Sequence, residues 1–220
     1  MSKRMRLTVA VLAALAALEA TAQDKAPIEL KLPKPAFKGT PKNAPAGIKL
    51  EKPRDRPRDP FLAPKGSKLL SAGKPVTASD SEPIVGEIKF ITDGEKEATE
   101  GGYVELGPGV QWVQIDLGKP AELHAIVIWH YHLAARVYHD VIVQVADDKD
   151  FVTNVRTLYN NDHDNSAGMG VGDKPAYWET YEGLLVDANA AKARFVRLYT
   201  NGNTADDQNH YTEVEIFGAP

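Results

Sequence analysis

The sequence contains no cysteine. That excludes disulfides, thiolate metal centres, a cysteine nucleophile and a lipid-modified cysteine anchor. Small extracellular domains often rely on disulfides because their cores are small. A cysteine-free exported domain must be stabilised by its core, alone or with a bound metal. The absence also favours a bacterial over an animal extracellular setting. Long hydrophobic runs are missing too. The longest, Leu7 to Leu18, has twelve residues, fewer than the about 20 needed to cross a bilayer, so no membrane span is expected. There is no G-x-S-x-G elbow, no H-E-x-x-H and no phosphate loop, so the common hydrolytic and nucleotide-dependent chemistries find no support. A carboxylate pair at glycosidase spacing stays open, because acidic residues are plentiful. Helical periodicity sustained over ten or more residues is absent after the first 22.

The N-terminus has the parts of an export signal in order. Lys3, Arg4 and Arg6 precede the apolar run, and Ala20-Thr21-Ala22 supplies the small-x-small pattern that signal peptidase accepts. Cleavage near Ala22 is expected, delivering the chain to the periplasm, cell envelope or medium. Residues 23–68 hold nine of the fifteen prolines and carry 12 Lys+Arg against 5 Asp+Glu up to Leu70. Proline lacks a backbone donor and fixes φ, so this stretch should be an extended linker that neither enters a sheet interior nor propagates a helix. Two points are sticky: Ile28-Glu29-Leu30-Lys31-Leu32 alternates like a short edge strand, and Pro60-Phe61-Leu62-Ala63-Pro64 is an apolar knot able to dock.

From Ser71 onward the balance reverses to 11 Lys+Arg against 24 Asp+Glu. Phosphate binding needs clustered basic charge, so nucleic acid is not an expected partner. The texture becomes short β-branched and aromatic runs separated by Gly, Asp, Asn and Pro, the rhythm of an all-β sandwich. Strands are expected at 75–78, 86–91, 103–106, 111–117, 121–132, 140–146, 155–159, 176–181, 194–200 and 211–217. Val113, Ile115 and Leu117 share one face, and Trp112, Gln114 and Asp116 the other. The run 121–132 is apolar on both faces, as in a strand covered on both sides. Only 186–192 looks weakly helical. About 150 residues make one domain, 69–218.

Several segments, in order, resemble discoidin domains, also called coagulation-factor type C domains. They are Ser71-Ala-Gly-Lys-Pro-Val-Thr-Ala-Ser79, Ile91-Thr-Asp-Gly94, Gln111-Trp-Val-Gln-Ile-Asp-Leu-Gly118, Arg194-Phe-Val-Arg-Leu-Tyr199 and Glu213-Val-Glu-Ile-Phe-Gly218. The resemblance implies an antiparallel jelly-roll β-sandwich of the galactose-binding-like kind that holds a glycan, lipid headgroup or protein, usually without chemistry. The paired cysteines of animal members are missing, and the polar loop 159–177 is long.

In glycan-binding members of that family calcium commonly sits at the segment Asp93-Gly94-Glu95-Lys96-Glu97-Ala98-Thr99. The resemblance therefore implies structural Ca²⁺ held by Asp93 first and Glu213 last, with Thr99 as a further ligand. A simple Asx turn at Asp93 is the alternative. Asn161, Asp162, Asp164 and Asn165 form an oxygen-rich loop suited to a second calcium or to sugar hydroxyls. His130 and His132, at i and i+2, suit zinc only if His163 or His210 converges on them, so zinc is not expected. Sugars present C–H faces for aromatic rings and hydroxyls for fixed polar groups. Trp129, Tyr131 and Tyr138 are candidate platforms, and His130, His132, Arg136 and His210 candidate polar contacts. Trp178 and Tyr181 are weaker candidates, and Trp112 is assigned to the core. The expected function is a non-catalytic module that binds carbohydrate or another cell-surface polymer. The alternatives are an adhesive envelope protein with a protein partner and, further off, a metal-dependent hydrolase built on the histidines.

Overall fold

In a computed structural model, residues 24–37, 41, 47–52 and 54–220 are described. The expected export signal, residues 1–22, lies outside them. The strands are β1 (Lys25–Pro27), β2 (Leu62–Pro64), β3 (Lys68–Leu69), β4 (Val76–Ala78), β5 (Val104–Leu106) and β6 (Gln111–Trp129). There follow β7 (Ile142–Ala146), β8 (Arg156–Asn160), β9 (Leu184–Thr200), β10 (Asn209–Tyr211) and β11 (Glu213–Ala219). All pairings between these strands are antiparallel. Among the described residues no helix is long and apolar enough to cross a membrane.

The long strands β6 and β9 form one ribbon that serves both layers. Its register slips between Asp116 and Ala121. The first half of β6 lies between β4 and the second half of β9, which passes on to β7 and β8. The second half lies between β11 and the first half of β9, with β3 at the far edge. Val113, Ile115, Val196 and Leu198 of one half share a core with Leu123, Ile126, Ile128 and Val186 of the other. A ribbon bent at an irregularity thus becomes both walls of a sandwich, as bulged corners allow.

The bend explains part of the Gln111–Gly118 motif. Asp116 receives Arg194 in a fork, Nε at 2.7 Å and NH2 at 2.8 Å, and accepts the Gly118 N–H at 2.8 Å. Gly118 has φ +84°, which a residue with a side chain rarely adopts. The closing Gly218 has a different reason: a Cβ there would stand 2.1 Å from the Glu122 carbonyl oxygen.

Three expected elements differ. Residues 88–92 form a 3₁₀ turn rather than the end of a strand. Residues 176–181 form no strand: Tyr177 and Glu179 turn into a buried polar cluster, leaving one parallel bridge from Ala176 to Leu50. The weakly helical 186–192 belongs to β9, where Val186 and Ala188 point inward and Asp187 outward, the alternation of a strand. Positive φ at Asn189 and Ala190 marks the local irregularity that blurs the pattern.

The described parts of the proline-rich segment lie along the domain. β1 pairs with β2, and the Ile28 N–H donates to the Phe61 carbonyl at 3.0 Å. The register therefore begins before the alternating 28–32 run, and Leu32 is left exposed. Ile28, Leu30 and Phe61 pack on Ala125, Val127, Trp129 and Phe217, the outer face of β6 and β11. This is why 121–132 is apolar on both faces. Arg58 donates to the Glu182 and Gly183 carbonyls, each at 2.8 Å, and Arg54 pairs with the Glu182 carboxylate at 3.0 Å.

Candidate functional site

Three connections meet at one end of the sandwich: the lead into β5, the loop after β6, and the loop from β9 into β10. They bring together Tyr103, Glu105, Tyr131, Arg136, Asp206 and His210. Glu105 and His210 are direct cross-strand partners, with Glu105 Oε2 3.5 Å from His210 Nε2. The rings of Tyr103 and Tyr131 meet edge to face at 4.9 Å, and the Arg136 guanidinium lies 4.7 Å over Tyr131. Arg136 NH1 donates to Asp206 Oδ2 at 3.2 Å and lies 3.5 Å from His210 Nδ1. The two tyrosines and Arg136 are half-buried and Asp206 is exposed. The arrangement offers π-faces edged by fixed donors and acceptors, the set a sugar ring requires.

Burial, and then the neighbouring Arg136 charge, pushes the His210 imidazole down to about 4. The unfolded chain takes a proton near 6.5, which the native fold refuses until about pH 4. Stability is therefore expected to fall as pH drops through that window. Thermal melts from pH 7 to 4 should show a flatter decline for His210→Gln, and parallel curves would contradict this assignment.

Tyr131, Arg136 and His210 are brought together at this end, His210 buried behind the other two, whereas four other candidates lie deeper inside. Trp129 is fully buried on the outer face of β6 beneath Phe61, its Nε1–H bonded to the Tyr181 carbonyl at 2.9 Å. His130 is 1% exposed, with Nδ1 2.9 Å from Glu179 Oε2 and 3.2 Å from the Tyr177 hydroxyl. Tyr138 is buried and stacks on His130 at 4.3 Å. His132 is buried with Nε2 2.7 Å from the Lys96 carbonyl oxygen. These side chains shape the floor of the rim and the neighbouring loop instead of facing a ligand. The histidines do not converge: the one group of three or more metal-type side chains among the described residues is Asp140, Asp162 and Asp164.

That carboxylate group sits in the polar loop, but its members brace the loop. Asp162 is fully buried and accepts the Ser166 and Ala167 N–H groups at 3.1 and 2.9 Å. Asp164 accepts the Ser166 N–H at 3.0 Å, and Asp140 accepts the Ser166 hydroxyl at 2.7 Å. Asn161 Oδ1 accepts the Val141 N–H at 2.7 Å, and Asn165 Oδ1 the Gly170 N–H at 2.6 Å. Asn161 is buried, so it too is removed from a ligand surface.

Asp93 and Glu213 come together. Glu213 is 1% exposed and accepts the Gly94 N–H at 3.0 Å, while Asp93 Oδ1 accepts the Glu95 N–H at 2.8 Å, an Asx turn. Burial pushes Glu213 up to about 9, and the nearby Asp93 and Glu215 charges act in the same direction. The Lys96 ammonium is bonded to Glu215. A buried carboxylate with a second carboxylate nearby is the kind of oxygen donor a hard cation takes, although the loop's own contact to Glu213 is the Gly94 N–H. Thr99 is exposed, and no hydrogen bond joins it to Asp93 or Glu213.

Tyr103, Glu105 and Asp206 were not among the expected site residues. The signal for the first two was present: with Val104 and Leu106 in the core, period-2 geometry puts Tyr103 and Glu105 on the other face.

No protein-family model matches this sequence, and no curated protein matches it. Among solved structures the chain is similar to a fucose-binding module of Streptococcus pneumoniae, with 16% identity and a TM-score of 0.50, over 70% of this chain and 99% of that one. It is also similar to chitosan-binding module 1 of a chitosanase/glucanase from Paenibacillus sp. IK-5, with 21% identity and a TM-score of 0.46, over 69% of this chain and 99% of the module. A family 89 glycoside hydrolase from Clostridium perfringens gives 20% identity and a TM-score of 0.48. That match covers 69% of this chain, which spans only 14% of the hydrolase. The fold is an antiparallel β-sandwich of the galactose-binding-like kind.

Proposed function

We propose that this protein is an exported, non-catalytic module that binds carbohydrate at the rim formed by Tyr103, Tyr131, Arg136 and Asp206, with His210 buried behind them. The observation that supports this reading most is the pair of half-buried tyrosines edged by Arg136, Glu105 and Asp206. Tyr131 would stack on a sugar face, and the polar groups would bond its hydroxyls. Arg136 holds Tyr131 by stacking and is itself held by Asp206, so the platform is organised before a ligand arrives. A glycan array followed by titration calorimetry tests the reading. Tyr131→Ala and Arg136→Ala should each weaken binding by about tenfold or more. Undiminished binding in both variants would move the site elsewhere, and capture of a protein partner with no glycan binding would favour an adhesive role.

Structural calcium at Asp93 and Glu213 is the second part of the proposal. When bound, the ion would supply the counter-charge that the buried Glu213 lacks and tie β11 to the loop after the 3₁₀ turn. At saturating calcium a chelator should lower the melting temperature by about 5–10 °C. Glu213→Gln should abolish that difference. Identical melting of the native chain in calcium and in chelator would remove calcium from the account.

A further inference from the structure

We propose that the rim selects saccharides by charge, taking chains of amino sugars in preference to chains of uronic acids. This rests on the rim being the glycan site. The cation of the cluster, Arg136, is already committed. Its NH1 faces Asp206 at 3.2 Å, its Cζ lies 4.7 Å from the Tyr131 ring centre, and its side chain is only 13% exposed. Its Nε is buried with no partner, so at this low exposure little of the guanidinium reaches a ligand carboxylate.

Glu105 is in the opposite condition. Its side chain is 18% exposed, and its nearest side-chain partner is His210 at 3.5 Å, an imidazole whose burial pushes its protonation down to about pH 4. Burial and then the Asp206 charge hold the Glu105 carboxyl above its ordinary range, and the Arg136 charge pulling the other way does not offset them. Asp206, 38% exposed, spends its contacts on Arg136, the Asn203 side-chain amide and the Gln208 N–H. The rim therefore presents more acidic than basic charge to a ligand. An ammonium on the sugar supplies the missing counter-charge. A uronate carboxylate meets Glu105 and Asp206 with no unengaged cation to receive it.

The test compares three soluble hexasaccharides by calorimetry at about pH 5.5, where a glucosamine amine is protonated and a uronate ionised. They are a fully deacetylated glucosamine chain, its N-acetylated counterpart and a mannuronate chain. The glucosamine chain should bind roughly tenfold more tightly than the mannuronate chain at low salt, with a smaller gap at high salt. The ratio of the two affinities should collapse in the double variant Glu105→Gln/Asp206→Asn, whatever the absolute loss. It should persist in Asp150→Asn, at the far end of β7. Equal or tighter mannuronate binding overturns the charge selection and leaves the glycan reading standing. A ratio that survives the double variant also overturns it, assigning the preference to the acidic domain as a whole. Binding of no saccharide of any class removes the rim as a glycan site and this inference with it.

Discussion

Deleting residues 24–64 is expected to leave a chain that no longer folds as a stable monomer. The segment covers a hydrophobic surface: Ala125, Val127, Trp129 and Phe217 are all buried beneath Ile28, Leu30 and Phe61. Buried aromatic side chains contribute about 150–250 Å² each, and apolar burial stabilises by about 25 cal/mol per Å². Uncovering even half of the Trp129 and Phe217 area would cost about 5 kcal/mol, comparable with the whole stability of many domains. The deletion also strips Arg54 and Arg58 from Glu182, a side chain 8% exposed, leaving its carboxylate buried and unpaired. Expression of residues 65–220 should give aggregated or dye-binding material. A milder variant, Phe61→Ala, should fold but lose about 2 kcal/mol in urea denaturation, since Phe61 is half-buried. If residues 65–220 melted at the same temperature as the longer chain, the segment would be a passive linker.

The second large effect concerns His130 and Glu179, which are 1% and 0% exposed. His130 Nδ1 is the side-chain partner of Glu179 Oε2, and Glu179 Oε1 has no partner. Replacing His130 by Leu strands a buried carboxylate, a loss expected to cost about 3–5 kcal/mol. Glu179→Gln in the same chain should recover much of it, because an amide is cheaper to bury than a charge. A double-mutant cycle by chemical denaturation measures the coupling. Additive losses would show that the pair is not coupled. The cycle also guards against misreading binding data. His130 stacks under Tyr138, whose hydroxyl accepts the Tyr131 N–H at 3.2 Å. A His130 variant could thus weaken ligand binding without touching ligand.

The two cases mark opposite errors of reading from composition. Nine prolines argue that residues 23–68 cannot enter a sheet interior, and the strands described there are the β1–β2 pair and the edge strand β3. The prolines say nothing about whether Ile28, Leu30 and Phe61 find an apolar surface, because a missing N–H does not alter a side chain's hydrophobicity. The run Trp129-His130-Tyr131-His132 has the residue types of a binding surface. The structure sends its members to three environments: an outer core, a buried acid pair and the rim. Alternation predicts which side of a strand a residue takes, but not whether that side is covered.

By itself the sequence determined the all-β class and most of the strands. These rest on contacts whose signature is local, a period of two residues and a glycine at a turn. Only the tertiary structure decided that the proline-rich segment is part of the packed body, that Glu105 faces His210, and that Arg136 is neutralised by Asp206. Those are meetings between distant segments, and whether a polar side chain ends up buried, paired or free depends on what the rest of the chain brings against it.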